Sequence, residues 1–406
     1  PAIDTAEDGF TVTQRMADSV AGATGLDTFV EASEYFLPGG EPIAEGSTLT
    51  NQAYADTLKL YAAEGAAPFY TGEIAEDIVA ALNTNINPGI LTMEDLAAYE
   101  VVVRDPVCMD YRGYEVCGMG PPSSGALAVG QIMGVLEPFD IGAMEDGVEF
   151  RHLFAEASRL AFADRGLYLG DSDFVDIPEG YLDDGYLAER SALIDPEASM
   201  GAASPGVPPG WDEAFLASDI ERPRAGTSHF VIVDAEGNAI SATTTIESGF
   251  GSRVMTRGYL LNNELTDFSF APEADGAPIA NRVEPGKRPR SSMAPTIVFE
   301  NDAPVLLTGS PGGAAIIHYT ALSLVSMLDW GMDPQEAIDL PHVTNFNGRT
   351  NIEEGEGSAE LAAGLEALGH EVNVTNLNSG LHVIAITDEG LVGAADKRRE
   401  GVVMGE

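Results

Sequence analysis

A threonine stands at the first position of a stretch that is typical of a β-strand. Thr227 follows Gly226 directly and opens the run Thr227–Val233. A turn comes next, and the run Ala239–Thr245 returns beside the first, which predicts a hairpin. If the backbone is cut before Thr227, its hydroxyl lies next to a free α-amine that can act as its general base. Taken alone, a β-branched residue that merely opens a strand is the simpler interpretation.

Further groups able to do chemistry follow Thr227 along the chain. Glu264 and Asp267 offer two carboxylates within four residues of each other, and the pair Ser291–Ser292 offers two hydroxyls. The pair Gly312–Gly313 offers backbone N–H groups with no side chain in the way. A nucleophile, anion-binding amides and charged recognition groups are what acyl transfer from an amide requires.

In this order, the motifs resemble the γ-glutamyltranspeptidases, a family of N-terminal-nucleophile hydrolases. The resemblance covers essentially all 406 residues, and several ordered motifs are more specific than any one of them. Downstream of the hairpin, the matching stretches are residues 260–269, 287–296 and 308–313. Upstream of Thr227, they are residues 95–99, 110–114, 121–125 and 168–171.

The resemblance implies a fold and a maturation step. The fold is the four-layer αββα sandwich of these hydrolases, an α/β arrangement. The precursor cuts itself between Gly226 and Thr227, which gives a large-subunit portion, residues 1–226, and a small catalytic subunit, residues 227–406. The two fragments then stay associated as one composite domain. Residues 195–226 are rich in Pro, Gly, Ala and Ser, and we expect them to be the linker that precedes the cut.

The resemblance also assigns catalytic roles. Thr227 matches the family's nucleophile, and Thr245 matches a threonine that hydrogen-bonds it. Gly312 and Gly313 match an oxyanion site, in which backbone N–H groups stabilise the negative charge of the transition state. Without the resemblance, the glycines are an ordinary turn and Thr245 an ordinary strand residue.

Recognition of a zwitterionic glutamyl donor falls to two sets of residues. Glu264 and Asp267 match family acids or amides that bind the α-amino group, since two carboxylates attract one ammonium. Ser291 and Ser292 match a serine pair that holds the α-carboxylate. Arg290 is a further candidate for the carboxylate, or a surface charge.

The chain departs from the family pattern at three places. Glu247 stands where the family has asparagine, so it adds negative charge near the ammonium and changes the preferred acyl group. Residues 270–284, which match the lid loop, are short and contain no tyrosine, which favours hydrolysis over transfer. The family's main carboxylate-binding arginine lies upstream of the position of Pro1, so we expect this chain to lack the family's N-terminal segment.

Three interpretations of function therefore compete. The first is a γ-glutamyltransferase or glutathione hydrolase that forms a γ-glutamyl-Thr227 intermediate. Its donor is glutathione or another γ-glutamyl compound, and its acceptor is an amino acid, a peptide or water. The second is a related acylase, of the glutaryl or cephalosporin acylase kind, or a poly-γ-glutamate hydrolase. The third is an incomplete chain without catalytic activity.

The composition is strongly acidic. Asp and Glu number 65 against 20 Lys and Arg, for a net charge of −45. Such a field repels nucleic acid and anionic membranes, so we expect neither as a partner. The acidic residues are spread along the chain, which favours adaptation to concentrated salt over an ordinary acidic protein.

Cysteines and histidines give no sign of a cofactor or metal. Cys108 and Cys117 flank a turn and could face each other across a hairpin, although we expect two free thiols. The six histidines are scattered, with no metal-ligand spacing. No cofactor is implied, and no apolar run is long enough to cross a membrane.

Periodicity predicts the remaining elements coarsely. Helices are expected over residues 1–35, 52–63, 72–82, 126–136, 147–168, 314–328, 334–340 and 359–368, with a capped start at Thr92. Strands are expected at 101–103, 114–116, 381–386 and 391–394.

Overall fold

The computed structural model describes residues 1–84, 86–211, 216–219 and 226–405. These residues form two compact units. The first contains Pro1–Val103 and Ile246–Asn263, and the second contains Arg104–Thr245 and the chain from Glu264 onward. The predicted hairpin and most of the predicted site residues therefore belong to the second unit.

The first unit is mainly helical. Its helices span Ala2–Asp8, Gln14–Gly22, Val30–Phe36, Gln52–Glu64, Ala67–Thr71, Glu73–Leu82 and Met93–Ala98. Two pairs of short strands accompany them, Phe10–Thr11 with Thr48–Leu49 and Met255–Thr256 with Tyr259–Leu260. The predicted cap at Thr92 is confirmed, since Thr92 and Asp95 form a capping box.

Two predictions for the segment Pro1–Val103 are wrong. The helix expected over residues 1–35 is interrupted, because Gly9 adopts a left-handed backbone (φ 86°) and Thr13 caps a new helix by accepting from the N–H of Met16. The strand expected at Val101–Val103 is irregular and exposed. Its valines match strand propensity, but propensity without a partner strand does not form a sheet.

The second unit is built on a six-stranded antiparallel sheet, called here the central sheet. In spatial order its strands are Gly390–Ala395, His382–Thr387, Ala303–Gly309, Thr296–Glu300, Tyr114–Gly118 and Val107–Tyr111. A separate sheet contains Val343–Asn345, Thr350–Glu353 and Val372–Thr375. The helices are Gly125–Leu136, Val148–Tyr168, Asp184–Ser191, Ile316–Leu328, Pro334–Asp339 and Ser358–Ala367.

Helices cover one face of the central sheet. Three of them, Gly125–Leu136, Val148–Tyr168 and Ile316–Leu328, are buried along most of their length and share one hydrophobic core with the sheet. Sheet residues Val298 and Val383 belong to this core. Burial of this apolar surface is the main favourable term holding the unit together.

The predicted hairpin lies on the other face of the central sheet. Its strands, Thr227–Val233 and Ala239–Thr245, pair antiparallel, and we call this element the Thr227 hairpin. The hydroxyl of Ser241 donates to the carbonyl of Thr308 (2.9 Å) and accepts from the N–H of Thr296 (3.2 Å). Helices, a sheet and a hairpin are thus stacked in that order. The outer side of the hairpin carries the exposed side chains of Phe230, Ile232 and Ile240.

The two cysteines form a disulfide, so the expectation of free thiols is wrong. Cys108 and Cys117 lie directly opposite each other in the pair of edge strands Val107–Tyr111 and Tyr114–Gly118. Their Cα atoms are 4.1 Å apart, which allows the bond without displacement of the backbone. The sequence indicated that they could face each other, but the pairing register decides whether two cysteines meet.

The predicted linker is described only in part. Residues 195–211 are irregular but are anchored by their backbone: the N–H of Met200 donates to Glu156 (2.9 Å), and the N–H of Gly206 donates to Asp164 (2.8 Å). Both acceptors are buried carboxylates. Residues 216–219 and 226 are also described, and the rest of 195–226 lies outside the described residues. Within the described residues, no helix combines the length and apolar character needed to cross a membrane.

Two histidines that are far apart in the sequence meet in the core of the second unit. His152 Nε2 donates to the carbonyl of Asp195 (2.8 Å), because a carbonyl oxygen only accepts. His152 Nδ1 therefore accepts from His370 Nε2 (2.7 Å), and His370 Nδ1 accepts from the hydroxyl of Thr350 (2.9 Å). This arrangement needs both rings to be neutral. Burial lowers the pKa of His370 to about 4, although the negative charge of Glu156 acts to raise it.

We predict that the His152–His370 pair makes the fold sensitive to acid. His370 has its ordinary pKa of about 6.5 when unfolded, so the unfolded chain takes up a proton first as the pH falls. Stability contributed by the neutral ring is complete above about pH 6.5 and is lost progressively toward pH 4, by at most about 1.4 kcal/mol per pH unit. Denaturant unfolding of the parent and of His370→Gln, in high salt across this range, measures the difference. Parallel stability curves for the two proteins would contradict the prediction.

Candidate active site

The register of the Thr227 hairpin places its two threonines opposite each other. Thr227 is the first residue of one strand and Thr245 the last residue of the other, and they form a cross-strand pair. The Oγ1 atoms are 3.1 Å apart, with Thr227 donating to Thr245. Thr227 is buried, with 9% of its surface exposed. The two hydroxyls therefore form a hydrogen bond, and the catalytic role that the resemblance implies for Thr245 stays a prediction.

An arginine from the C-terminal end of the chain holds the backbone of Thr227. Arg399 Nη1 donates to the carbonyl of Thr227 (3.2 Å), while its Nε and Nη2 donate to the carbonyl of Asn378 (3.0 and 2.8 Å). A Cβ on Gly380 would lie 2.7 Å from Pro311 and 3.0 Å from the Arg399 side chain. Glycine at this position therefore allows Arg399 to pack close to the segment that leads into Gly312.

The histidine nearest to Thr227 in the hairpin is a poor base. His229 lies on the same face as Thr227, and its ring packs against Gly309 of the central sheet. Its Nδ1 is 2.8 Å from the hydroxyl of Thr243. Burial, with a smaller contribution from His382, lowers the pKa of His229 to about 3. A ring with so low a pKa is a weak proton acceptor at neutral pH. This favours a different base for Thr227.

The glycine pair lies between a central strand and a buried helix. Gly312 and Gly313 have φ values of 144° and 59°, and they lead through a short 3₁₀ turn into the helix Ile316–Leu328. A Cβ on Gly312 would lie 2.7 Å from the ring of Tyr319, so glycine is required there for both conformation and space. Backbone N–H groups at such a helix start favour a negative charge.

The two predicted ammonium-binding acids share one 3₁₀ turn, Glu264–Asp267, and both are half-buried. Asn281 ties this turn to the serine segment. Its side-chain N–H donates to the carbonyl of Asp267 (2.8 Å), and its side-chain oxygen accepts from the N–H of Arg290 (2.9 Å). The acids and the serines are therefore held by one buried side chain, which the sequence did not indicate.

A buried arginine forms hydrogen bonds that hold the serine pair in place. Arg165, on the helix Val148–Tyr168, donates from Nη2 to Ser292 Oγ (2.6 Å) and from Nε to Ser124 Oγ (2.8 Å). Ser124 in turn donates to the carbonyl of Ser291 (2.7 Å). Because arginine only donates, the hydroxyl proton of Ser292 can be given to another acceptor. A carboxylate is a suitable acceptor, since the positive charge of Arg165 lies directly behind the hydroxyl.

Arg290 is not a surface charge. It is buried, its Nη2 pairs with Asp219 (3.0 Å), and its Nη1 donates to the carbonyl of Arg165 (3.2 Å). Its guanidinium therefore connects Asp219, in the predicted linker, to the helix Val148–Tyr168. The sequence left open whether Arg290 binds the carboxylate of the donor. Among the residues that the structure describes, its guanidinium instead contacts Asp219 and the backbone of Arg165.

Glu247 lies in the first unit, in the segment Ile246–Asn263. It is buried and adopts a left-handed backbone (φ 72°), a conformation that asparagine tolerates better than glutamate. Its carboxylate accepts from the hydroxyl of Ser248 (2.7 Å) and from the side-chain amide of Asn263. These contacts explain how the charge is accommodated locally, and the effect of Glu247 on acyl preference stays a prediction.

These features define a class of protein. A threonine hydroxyl at the first position of a strand, a hydroxyl partner across the hairpin and stacked layers of helices, sheet and hairpin match the arrangement of N-terminal-nucleophile hydrolases. Comparison with known proteins identifies the family within this class.

A family model described as gamma-glutamyltranspeptidase matches residues 1–406. The chain is 34% identical over 418 residues to the glutathione hydrolase proenzyme of Bacillus subtilis (strain 168), covering 100% of this chain and 70% of the relative. It is 36% identical over 415 residues to the glutathione hydrolase proenzyme of Escherichia coli (strain K12), covering 98% and 69%. The crystal structure of the cephalosporin acylase from Bacillus halodurans superimposes with a TM-score of 0.87 at 27% identity, covering 100% of this chain and 73% of that one.

The chain belongs to the γ-glutamyltranspeptidase family. The predicted αββα fold is confirmed by the structural neighbours. The predicted enzyme class, a γ-glutamyltransferase or γ-glutamyl hydrolase, is confirmed by the family and its relatives. The roles of individual residues and the division at residue 226 stay predictions.

We predict that Arg399 positions Thr227 for cleavage of the preceding peptide bond. Arg399→Met removes the donor that holds the Thr227 carbonyl, so self-cleavage slows by roughly 10- to 100-fold, the effect of losing one charge-assisted hydrogen bond. Arg399→Lys keeps the charge but cannot bridge two carbonyls, so it gives an intermediate rate. The appearance of fragments after translation, followed by gel, measures these rates.

Arg349→Met is the matched control for the loss of one arginine. Among the described residues, Arg349 forms an ion pair with Glu371 at an exposed site, and its removal leaves the cleavage rate unchanged. Cleavage of Arg399→Met at the parental rate would show that the guanidinium does not position Thr227.

Proposed function

We propose that this enzyme cleaves γ-glutamyl amides through Thr227 after it has cut its own chain. The observation that carries the proposal is the Thr227–Thr245 hydroxyl pair at the start of the hairpin. In maturation, Thr227 Oγ1 attacks the carbonyl carbon of Gly226, and the C–N bond between the two residues breaks. Water then hydrolyses the resulting ester, which releases the Gly226 carboxylate and leaves Thr227 with a free α-amine.

In turnover, this amine takes the proton of the Thr227 hydroxyl while Oγ1 attacks the γ-carbonyl of the donor. The N–H groups of Gly312 and Gly313 stabilise the oxyanion. The departing amine receives the proton, and a γ-glutamyl ester of Thr227 remains. Water, or the amine of an amino acid or peptide, attacks this ester and regenerates the hydroxyl.

Binding of the donor uses charges of opposite sign at its two ends. Glu264 and Asp267 bind the α-ammonium, and Ser291 and Ser292 bind the α-carboxylate. Arg165 acts through Ser292 as a positioning residue, because it fixes the direction in which that hydroxyl donates. Burial strengthens these contacts relative to the same pairs in water.

The two fragments of the cut chain would stay together for a structural reason. The central sheet takes the strands Val107–Tyr111 and Tyr114–Gly118 from residues 1–226 and its other four strands from residues 227–406. Within the central sheet, the two parts meet at the antiparallel pair of Tyr114–Gly118 with Thr296–Glu300. Separation would break these backbone hydrogen bonds and expose the shared hydrophobic core.

A cephalosporin-acylase-like activity is the second candidate, favoured by the structural similarity to the Bacillus halodurans enzyme. The two candidates differ in whether the acyl group carries an α-ammonium. A γ-glutamyl anilide has this group, and a glutaryl anilide lacks it.

We predict that Asp267→Asn lowers activity on the γ-glutamyl donor but not on the glutaryl donor. Loss of the carboxylate lowers kcat/KM for γ-glutamyl anilide by roughly 10- to 100-fold and changes kcat/KM for glutaryl anilide by less than about threefold, because only the first donor presents a cation. Glu273→Gln, which removes an exposed acid from the short strand Glu273–Ala274 a few residues further along the chain, is the matched control. Equal losses on both donors would contradict ammonium recognition, and a parent enzyme faster on the glutaryl donor would establish the second candidate.

We also propose that the enzyme is adapted to concentrated salt. Its net charge of −45 is spread along the chain, so self-repulsion is strong in dilute buffer and screened as salt rises. The melting temperature should increase as KCl is raised from about 0.1 M to about 2 M, and more than in sucrose of equal osmolality. A melting temperature that does not depend on KCl would identify an ordinary acidic protein.

A further inference from the structure

A cavity of about 450 Å³ opens in the second unit, and its described lining includes no residue of the Thr227 hairpin. One wall is the start of the helix Val148–Tyr168, and the opposite wall is the start of the helix Ser358–Ala367. His342 and Arg398 contribute to the lining. The cavity is therefore a feature separate from the residues assigned to donor cleavage.

Both helices present uncapped starts to this cavity. The cap positions are Gly147 and Gly357, and neither helix start has a side-chain capping bond. The first amides of a helix lack partners within the helix and carry a partial positive charge. Two such starts on one cavity favour an acceptor or an anion between them.

A buried arginine in the wall has an unused donor. Arg151 is only 2% exposed, and its Nε and Nη2 bind both oxygens of Asp146. Its Nη1 is buried and has no hydrogen-bond partner among the described residues. A buried donor without an acceptor is unfavourable, so Nη1 favours an acceptor beyond the residues that the structure describes.

A buried histidine in the wall has an unused acceptor. His342 Nε2 lies 2.6 Å from Ser379 Oγ, and Ser379 donates its own proton to Asp396. Nε2 must therefore donate, which leaves Nδ1 without a proton. This Nδ1 is buried and has no partner among the described residues. Burial, helped by the charges of Arg398 and Arg151, lowers the pKa of His342, so the ring stays neutral.

Charges divide this cavity into an inner part and a rim. Inside, Arg151 is matched by Asp146 and Arg398 by Glu353, so the helix starts leave a positive excess. At the rim, Glu354, Glu356 and Glu360 are exposed and carry negative charge. A ligand that is negative at one end and positive at the other matches this distribution.

We propose that this cavity is a second binding site, for a small zwitterion of the α-amino-acid class. The carboxylate enters and accepts from Arg151 Nη1 and the helix starts. The ammonium lies toward the exposed carboxylates of Glu356 and Glu360 at the rim, which accept from it, and the buried Nδ1 of His342 is left to accept from water. A simple carboxylate or a simple amine satisfies only half of these groups.

Binding to the parent protein tests the proposal directly. Isothermal titration with L-alanine, glycine, propionate and propylamine, none of which is a γ-glutamyl donor, should give saturable binding for the amino acids and weaker binding for both half-ligands. Glu356→Gln with Glu360→Gln should weaken amino-acid binding by about two- to fivefold and leave propionate unaffected or tighter. Equal binding of propionate and the amino acids would overturn the zwitterion assignment.

A blocking variant decides where binding occurs. Gly355 lines the cavity, has an ordinary φ and has open space around a Cβ, so Gly355→Trp fills the cavity without strain. Gly22→Trp is the matched control at an exposed glycine with equally open surroundings. The proposal requires that amino-acid binding is lost in Gly355→Trp and kept in both Gly22→Trp and Asp267→Asn. Binding that survives in Gly355→Trp, or no saturable binding to the parent, would overturn it and leave a cavity that holds only water.

Discussion

The candidate site depends on the pairing register of the Thr227 hairpin. Side chains alternate between the two faces of a strand, so a shift of one residue would turn every side chain to the opposite face. The observed register places Thr227 against Thr245 and turns both toward the central sheet. Ser241 fixes this position, because it bonds to the backbone of two adjacent central strands at Thr308 and Thr296.

Arginines connect this hairpin and its surroundings to other segments of the second unit. Arg399 reaches the Thr227 carbonyl, Arg165 reaches the serine pair, and Arg290 joins its segment to the helix Val148–Tyr168. A guanidinium donates in several directions at once from a rigid plane, which suits it to joining loops that have no regular pairing of their own. In a chain with few basic residues, these arginines are used mainly to position backbone and hydroxyl groups.

Local patterns in the sequence predicted the parts of the fold that depend on near neighbours. Two β-rich runs joined by a turn that contains Gly237 and Asn238 predicted the Thr227 hairpin, the threonine at 92 predicted a helix start, and apolar periodicity predicted the helix Val148–Tyr168. The resemblance to a family added the αββα fold, which periodicity alone does not give. The strand predicted from the valines at 101–103 does not form, because a strand also needs a partner strand.

Contacts between distant parts of the chain could not be predicted in this way. Arg399 lies 172 residues from Thr227, and His370 lies 218 residues from His152. An arginine or histidine carries no local sign of its partner, and the six histidines looked scattered for this reason. The disulfide was not predicted for the same reason. Cysteines on two neighbouring strands meet only in one pairing register, and the sequence does not give that register.

The central claim is that Thr227 becomes the N-terminal residue of a new fragment and acts there as the nucleophile. Intact mass spectrometry of the purified protein, beside Thr227→Ala, tests it most directly. The account predicts two masses, those of residues 1–226 and 227–406, for the parent and one uncut chain for the variant. An uncut parent, or a cut at another bond, would contradict it.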